Sequence, residues 1–219
     1  MARLLFEKTG NAVWISHLDL MRLFQRAFKR AALPLTHTQG FNPRPSVSIA
    51  LPLSVGIESQ CELLDFQLDG DSKISSQQIK ERLNDCLIEG VRVLDVYEDG
   101  RRIRDLSLLN CHLQLQYDDR IPESAEDAIK ALFSRDELIV EKKTKSGLQD
   151  QNIIPLIHKM NISSYNNSIR MDVVISCQDP SLNPIQLVLA INKYIPRCTP
   201  DAYFCRRIEV FDKNQDVFR

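Results

Sequence analysis

The chain has 219 residues, 43% of them hydrophobic, and a formal net charge of -1. That length suits one large domain or two small ones, either able to bury a working core without metal or disulfide staples. The near-zero charge excludes a polycation, so any nucleic-acid contact must come from a local patch.

No apolar run approaches the roughly 18 residues of a membrane span. Met1 to Gly10 alternates charged and apolar groups, unlike a signal peptide. A cytoplasmic location without membrane contact is expected. Six cysteines, at 61, 86, 111, 177, 198 and 205, form no CxxC pair. Scattered in apolar segments of an unexported chain, they are expected to be reduced core thiols rather than metal ligands.

In chain order, Leu4, Leu5 and Phe6 mark a first strand. Ser16 and Asp19 form a capping box for a helix that runs to about Ala32. Leu20, Leu23, Phe24, Ala27, Phe28 and Ala31 give this helix a broad apolar face, and Pro34 stops it. Trp14, just before the cap, is expected to pack as a staple against Leu18 or Leu20. A polar loop, Thr36 to Pro45, follows. Val47, Ile49 and Leu51 alternate as a strand, as do Leu64, Phe66 and Leu68, closed by Asp69-Gly70-Asp71. Ser75 or Ser76 caps a helix carrying Ile79, Leu83 and Leu87, ended by Gly90. Val91, Val93 and Val96 supply the last strand.

The pattern then repeats after a charged joint, Glu98 to Asp105. Leu109, Cys111, Leu113, Leu115 and Tyr117 alternate with polar residues. Ser124 begins a helix with Ala128, Ile129, Leu132 and Phe133. Leu138 to Val140 reads as the next strand, open to extension into Glu141-Lys142-Lys143, and the second half carries a longer insertion before its third strand. Ile153 to Ile157 is apolar but of open type. Ile169 to Ile175 alternates as a strand, Asn183-Pro184 opens a helix, and Ile208 and Val210 sit in a final strand. The order predicts an α+β fold of two tandem ferredoxin-like (βαββαβ) units with antiparallel sheets, over residues 1–100 and 106–219.

Charge is uneven along the chain. Residues 1–50 hold seven basic and two acidic side chains, and residues 58–100 hold four basic and eleven acidic ones. Arg22, Arg26 and Lys29 or Arg30 recur at three- and four-residue spacing, opposite the apolar face of the first helix. They are either a solvated face or one wall of a binding surface. The loop beside them concentrates Gln39, Phe41, Asn42 and Arg44 between prolines. Gln39 and Asn42 can read donor and acceptor patterns, and Arg44 can clamp a phosphate or carboxylate. Phe41 either plugs the core beneath the loop or stacks on a ring. The expectation is that the helix stripe and this loop share one pocket wall.

His17 begins the helix, where the positive end favours the neutral imidazole of a general base; the alternative is a plain capping-region histidine. His37 lies in the loop and could face it. His112 falls on the polar face of a strand, and His158 is isolated. Lys142, Lys143, Lys145 and Gly147 make a second basic patch, read as a solvated hairpin tip. There is no P-loop, dinucleotide fingerprint, GxSxG, HExxH or metal-ligand spacing, so no cofactor or metal is expected.

Two stretches carry a family resemblance: Ile15-Ser16-His17-Leu18-Asp19-Leu20-Met21-Arg22 with Arg26-Ala27-Phe28-Lys29-Arg30-Ala31, and Leu33-Pro34 with Thr38-Gln39-Gly40-Phe41-Asn42-Pro43-Arg44-Pro45. Ser46 to Leu51, Gly56, Ser59 and Glu62 extend it. This run resembles the radical SAM-linked (radical SAM-associated) protein family, a bacterial domain of unknown function. The resemblance implies an accessory or substrate-handling protein, without a cluster or catalytic activity of its own, that works with a separately encoded radical SAM enzyme. His17, Arg22, Arg26, Arg30, Gln39, Phe41, Asn42 and Arg44 are the candidate binding residues. The second half departs from the family pattern. Lys145-Ser146-Gly147 is present, but Asn152-Ile153-Ile154-Pro155 lacks the usual acid and arginine. The rival reading is an independent RNA-binding or RNA-processing protein, with tandem ferredoxin-like units as its surface. A small enzyme using His17 ranks third.

Overall fold

The structure, a computed structural model, describes residues 1–70, 74–144 and 147–219. Asp71 of the first half's turn, and Lys145 and Ser146 of the hairpin, lie outside the described residues. The chain divides into two compact units, residues 1–105 with 217–219, and residues 106–216.

The first unit runs β1 (Ala2–Lys8), a 3-10 turn (Gly10–Trp14), α1 (His17–Arg30), β2 (Val47–Ile49), β3 (Glu58–Phe66), α2 (Ser76–Asn84) and β4 (Val91–Tyr97). The strands lie in the order β4-β1-β3-β2, all antiparallel. This is the ferredoxin-like order, in which β1 and β2 flank β3 and each helix crosses back over one face. The registers Ala2↔Phe66 and Lys8↔Ser59 set the two ends of the sheet.

Both helices form because each has a cap and an apolar stripe. Ser16 Oγ accepts the Asp19 amide, and Ser75 with Gln78 completes a full capping box. Leu20, Phe24, Ala27 and Phe28 of α1 and Ile79 and Leu83 of α2 are buried with Leu4, Phe6, Leu64, Phe66, Val91 and Val93 of the sheet. Phe24 meets Phe6 edge-on at 4.7 Å between ring centroids, and Phe28 meets Phe66 at 5.1 Å. Each such side chain contributes about 1.5–3 kcal/mol by leaving water. α1 stops two residues before its expected end. Ala32 takes a left-handed φ of 53°, and the Leu33 amide bonds back to the Phe28 carbonyl at 2.9 Å.

Lys8, 1% exposed, sets the start of α1. Its ammonium donates to the carbonyls of Val13 (3.1 Å) and Ile15 (2.7 Å), which pins the 3-10 turn to the end of β1. Trp14 does not staple the helix. It is 71% exposed, as is most of Leu18, because the turn carries its indole outward toward Gly56; a Cβ there would lie 3.6 Å from the ring.

The second unit runs β5 (Leu106–Gln116), α3 (Ala125–Phe133), β6 (Ile139–Thr144), β7 (Gly147–Asn152), β8 (Ile157–Tyr165), β9 (Ser168–Ser176), α4 (Ile185–Tyr194) and β10 (Ala202–Asp212). Its sheet has the order β10-β5-β9-β8, again ferredoxin-like and antiparallel, while β6 and β7 pair only with each other. One expectation is corrected here. Residues 138–140 belong to this inserted hairpin, and β8 takes the second-strand position. The reason is that β8 is an edge strand with only Ile162 fully buried, so it shows no alternation. Its place is set by the tight turn at Asn166, whose φ is 52°. The open segment at Ile153 to Ile157 is a 3-10 turn (Ile154–Leu156) leading into β8. All six cysteines are free thiols, five of them buried. No helix among the described residues is long and apolar enough to cross a membrane.

Candidate functional site

At the start of α1, Ser16 Oγ accepts the Asp19 amide (3.2 Å) and donates to Asp19 Oδ2 (2.8 Å), while Arg22 donates to Oδ1 (3.0 Å). The Ser16 hydroxyl first, and then Arg22, hold the Asp19 carboxyl below its usual range. His17 is half-buried, and its Nδ1 is buried without a hydrogen-bond partner among the described residues. Along the helix, Arg22, Arg26, Lys29 and Arg30 are exposed. Arg22 is engaged by Asp19, and Arg30 donates to the Cys86 carbonyl. Arg26 and Lys29 make no hydrogen bond or ion pair with the described residues.

The loop after α1 is tied at its base. Thr36 N donates to Gln67 O (2.9 Å) and Ser46 N to Thr36 O (2.7 Å). Above that, Thr38 N donates to Arg44 O (2.8 Å), and Arg44 N donates to Thr38 Oγ1 (3.0 Å). Gly40 turns the tip with a φ of 131°, a conformation costly for other residues. Four side chains, Gln39, Phe41, Asn42 and Arg44, point outward and make no hydrogen bond to the described residues. Phe41 does not plug the core: its relative exposure is 113%, the highest of the large apolar side chains.

These two groups of residues are held apart. α1 begins beside Lys8 and its 3-10 turn, whereas the loop begins beside Gln67, past the opposite end of β3. A helix of 14 residues spans about 20 Å. His17 therefore lies one helix length from Gln39, Phe41, Asn42 and Arg44, and His37, in the loop base, does not face His17. Arg22, Arg26 and Arg30 step along the interval, with Arg30 on the loop side.

The second unit contains a constellation that spacing along the chain does not reveal. His112 of β5 lies opposite Asp172 of β9 and Arg206 of β10. Arg170 donates Nε–H to Asp172 Oδ1 (2.8 Å) and approaches His112 Nδ1 at 3.1 Å, while His112 Nε2 lies 3.1 Å from Asp172 Oδ1. A neutral imidazole satisfies this network, with Nδ1 accepting from Arg170 and Nε2–H donating to Asp172. Burial pushes the His112 pKa down, against the pull of Asp172 and with help from Arg170 and Arg206. The only legible signal was the polar parity of position 112, since strand register brings in the partners. His158 is bonded to the Ser176 hydroxyl (2.8 Å). Lys142, expected on a solvated tip, instead donates to the carbonyl (2.6 Å) and hydroxyl (3.1 Å) of Ser181. No group of three or more His, Cys, Asp and Glu with metal-holding geometry occurs among the described residues.

No curated protein matches the chain. Among solved structures, a chain of "Crystal Structure of a Cbf5-Nop10-Gar1 Complex" aligns at a TM-score of 0.53 and 7% identity, over 95% of this chain and 48% of that one. The protein thus spans about half the length of that relative, and the likeness is one of fold. "Crystal Structure of an Unknown Protein from Galdieria sulphuraria" aligns over 94% of this chain and 96% of that one, at a TM-score of 0.27 and 11% identity. A family model matches residues 2–184, and on that coverage the chain belongs to the bacterial family described as "Uncharacterized protein conserved in bacteria (DUF2344)".

Proposed function

We propose that this protein is a cytoplasmic accessory, substrate-handling partner of a separately encoded radical SAM enzyme, without catalysis of its own. The loop Thr38–Arg44 is its docking anchor, and Arg26 and Arg30 of α1 extend the surface. The resemblance of Ile15 to Pro45 to the radical SAM-linked family motivates the partner. The observation that carries the docking surface is Phe41, a fully exposed aromatic on a loop closed by two backbone-anchored hydrogen bonds. An aromatic held out in a preset position loses little entropy on binding, and such side chains dominate interface energies.

Co-purification tests this reading. A radical SAM enzyme from the same organism is expected to associate with it, and Phe41→Ala to weaken the complex by about thirtyfold, the equivalent of a 2 kcal/mol hot spot. Absence of any complex, with substrate supplied, would sink the proposal. The RNA-binding alternative draws on the excess of basic residues in the first 50 positions. It predicts an RNA affinity that falls steeply with salt, with or without the enzyme.

A further inference from the structure

The second unit contains an element that the βαββαβ plan does not require. The β6–β7 hairpin is inserted between α3 and β8 and stays outside the four-stranded sheet. Inserted segments on a rigid scaffold commonly carry binding. This one is fastened to α4 at two places. Near the end of α4, the Tyr194 hydroxyl (2.9 Å) and the Lys193 ammonium (3.3 Å) donate to the Ile139 carbonyl. Near its start, Lys142 donates twice to Ser181. Between these fastenings the hairpin and helix line a half-open cavity of about 720 Å³, within the range of small-molecule sites.

The cavity wall has two chemistries. Ile185 and Leu189, one helical turn apart, and Leu148 of β7 supply apolar surface. Leu148 is 65% exposed and Leu189 47%, and both line this half-open cavity rather than lying scattered on the surface. Lys142 uses two of its three donors on Ser181 and acts as a strut. Lys193, one turn beyond Leu189, gives one to Ile139, has its ammonium 5.3 Å from the Tyr194 ring centroid, and keeps two N–H groups without a hydrogen-bond acceptor among the described residues. Glu141 at the rim opposes a second negative charge.

We propose that this cavity binds a small monoanionic amphiphile, with its anionic head on Lys193 and its apolar ring or chain against Leu148, Ile185 and Leu189. The site stands whether or not the chain docks a radical SAM enzyme.

The test uses the full chain and the fluorescent monoanion 1-anilinonaphthalene-8-sulfonate, with calorimetry for stoichiometry. One saturable site per chain is expected. Lys193→Met should weaken it about tenfold or more, the loss of a charge-assisted hydrogen bond, and Leu189→Asp should abolish it. The uncharged analogue N-phenyl-1-naphthylamine should bind about tenfold more weakly and be indifferent to Lys193→Met. Non-saturating binding, or affinity unmoved by both substitutions, overturns the site. Equal affinity for the charged and uncharged probes overturns its anion selectivity. If Leu189→Asp does not fold, amide shifts of the wild-type chain decide: they must be confined to residues 139–142, 148 and 181–193.

Discussion

His112 shows how much a single side chain owes to its neighbours. On β5 alone it is one polar position in an alternating strand; in the sheet it lies between a carboxylate and two guanidinium groups. Its folded pKa lies below the ordinary 6.5 because burial disfavours the cation more than Asp172 favours it. The folded protein therefore takes up this proton less readily than the unfolded chain. Stability is unaffected above the unfolded value and is lost as pH falls through it toward the folded value. We predict that an NMR titration places His112 below 6.5, that Asp172→Asn moves it further down, and that Arg170→Ala moves it up. A midpoint at or above 6.5 would show that the ion pair outweighs burial.

At the scale of elements, α1 and the loop after it differ in what holds them. α1 is specified several times over, by its Ser16 cap, its apolar stripe and its basic last turn, and each of these can be read along the chain. The loop Thr38–Arg44 rests on a few hydrogen bonds between residues close in sequence, so one atom matters. Thr38→Val keeps the shape of the side chain but removes the Oγ1 that accepts the Arg44 amide. That amide should then exchange with solvent several-fold faster, about 1 kcal/mol of lost protection, while α1 amides are unchanged. Unchanged exchange at Arg44 would mean the loop is held by something else. The hairpin β6–β7 and strand β8 are the opposite case to α1. Neither alternates: β8 pairs with β9 across the tight turn at Asn166, and β6 is fastened to α4 through Ile139.

Across the whole chain, the closing feature of the first unit is its use of the last residues. Phe218 is fully buried there, with the guanidinium groups of Arg3 and Arg101 5.2 and 5.0 Å from its ring centroid. Arg3 donates to both oxygens of Asp65 (2.6 and 3.0 Å) and to the Arg101 carbonyl (2.7 Å), and Gly100 leaves the space it occupies. Residues 217–219 thus group with the first unit rather than the second. Phe218→Ala should cost about 3–5 kcal/mol in urea unfolding, because it empties a core position and uncovers a buried ion pair. A loss under about 1 kcal/mol would show that the tail is merely laid on the surface. What was legible from residue order alone is whatever repeats at short range: the helix caps, the apolar periods of 2 and 3.6, and from them two βαββαβ units. What needed the folded chain is whatever joins residues far apart in number. The outward Phe41 and Trp14, the separation of His17 from Arg44, the His112–Asp172–Arg170 network and the cavity under β6–β7 all depend on register and on which surfaces meet. Periodicity reports which face of an element is apolar, but a contact between distant segments is a three-dimensional coincidence that no local spacing encodes.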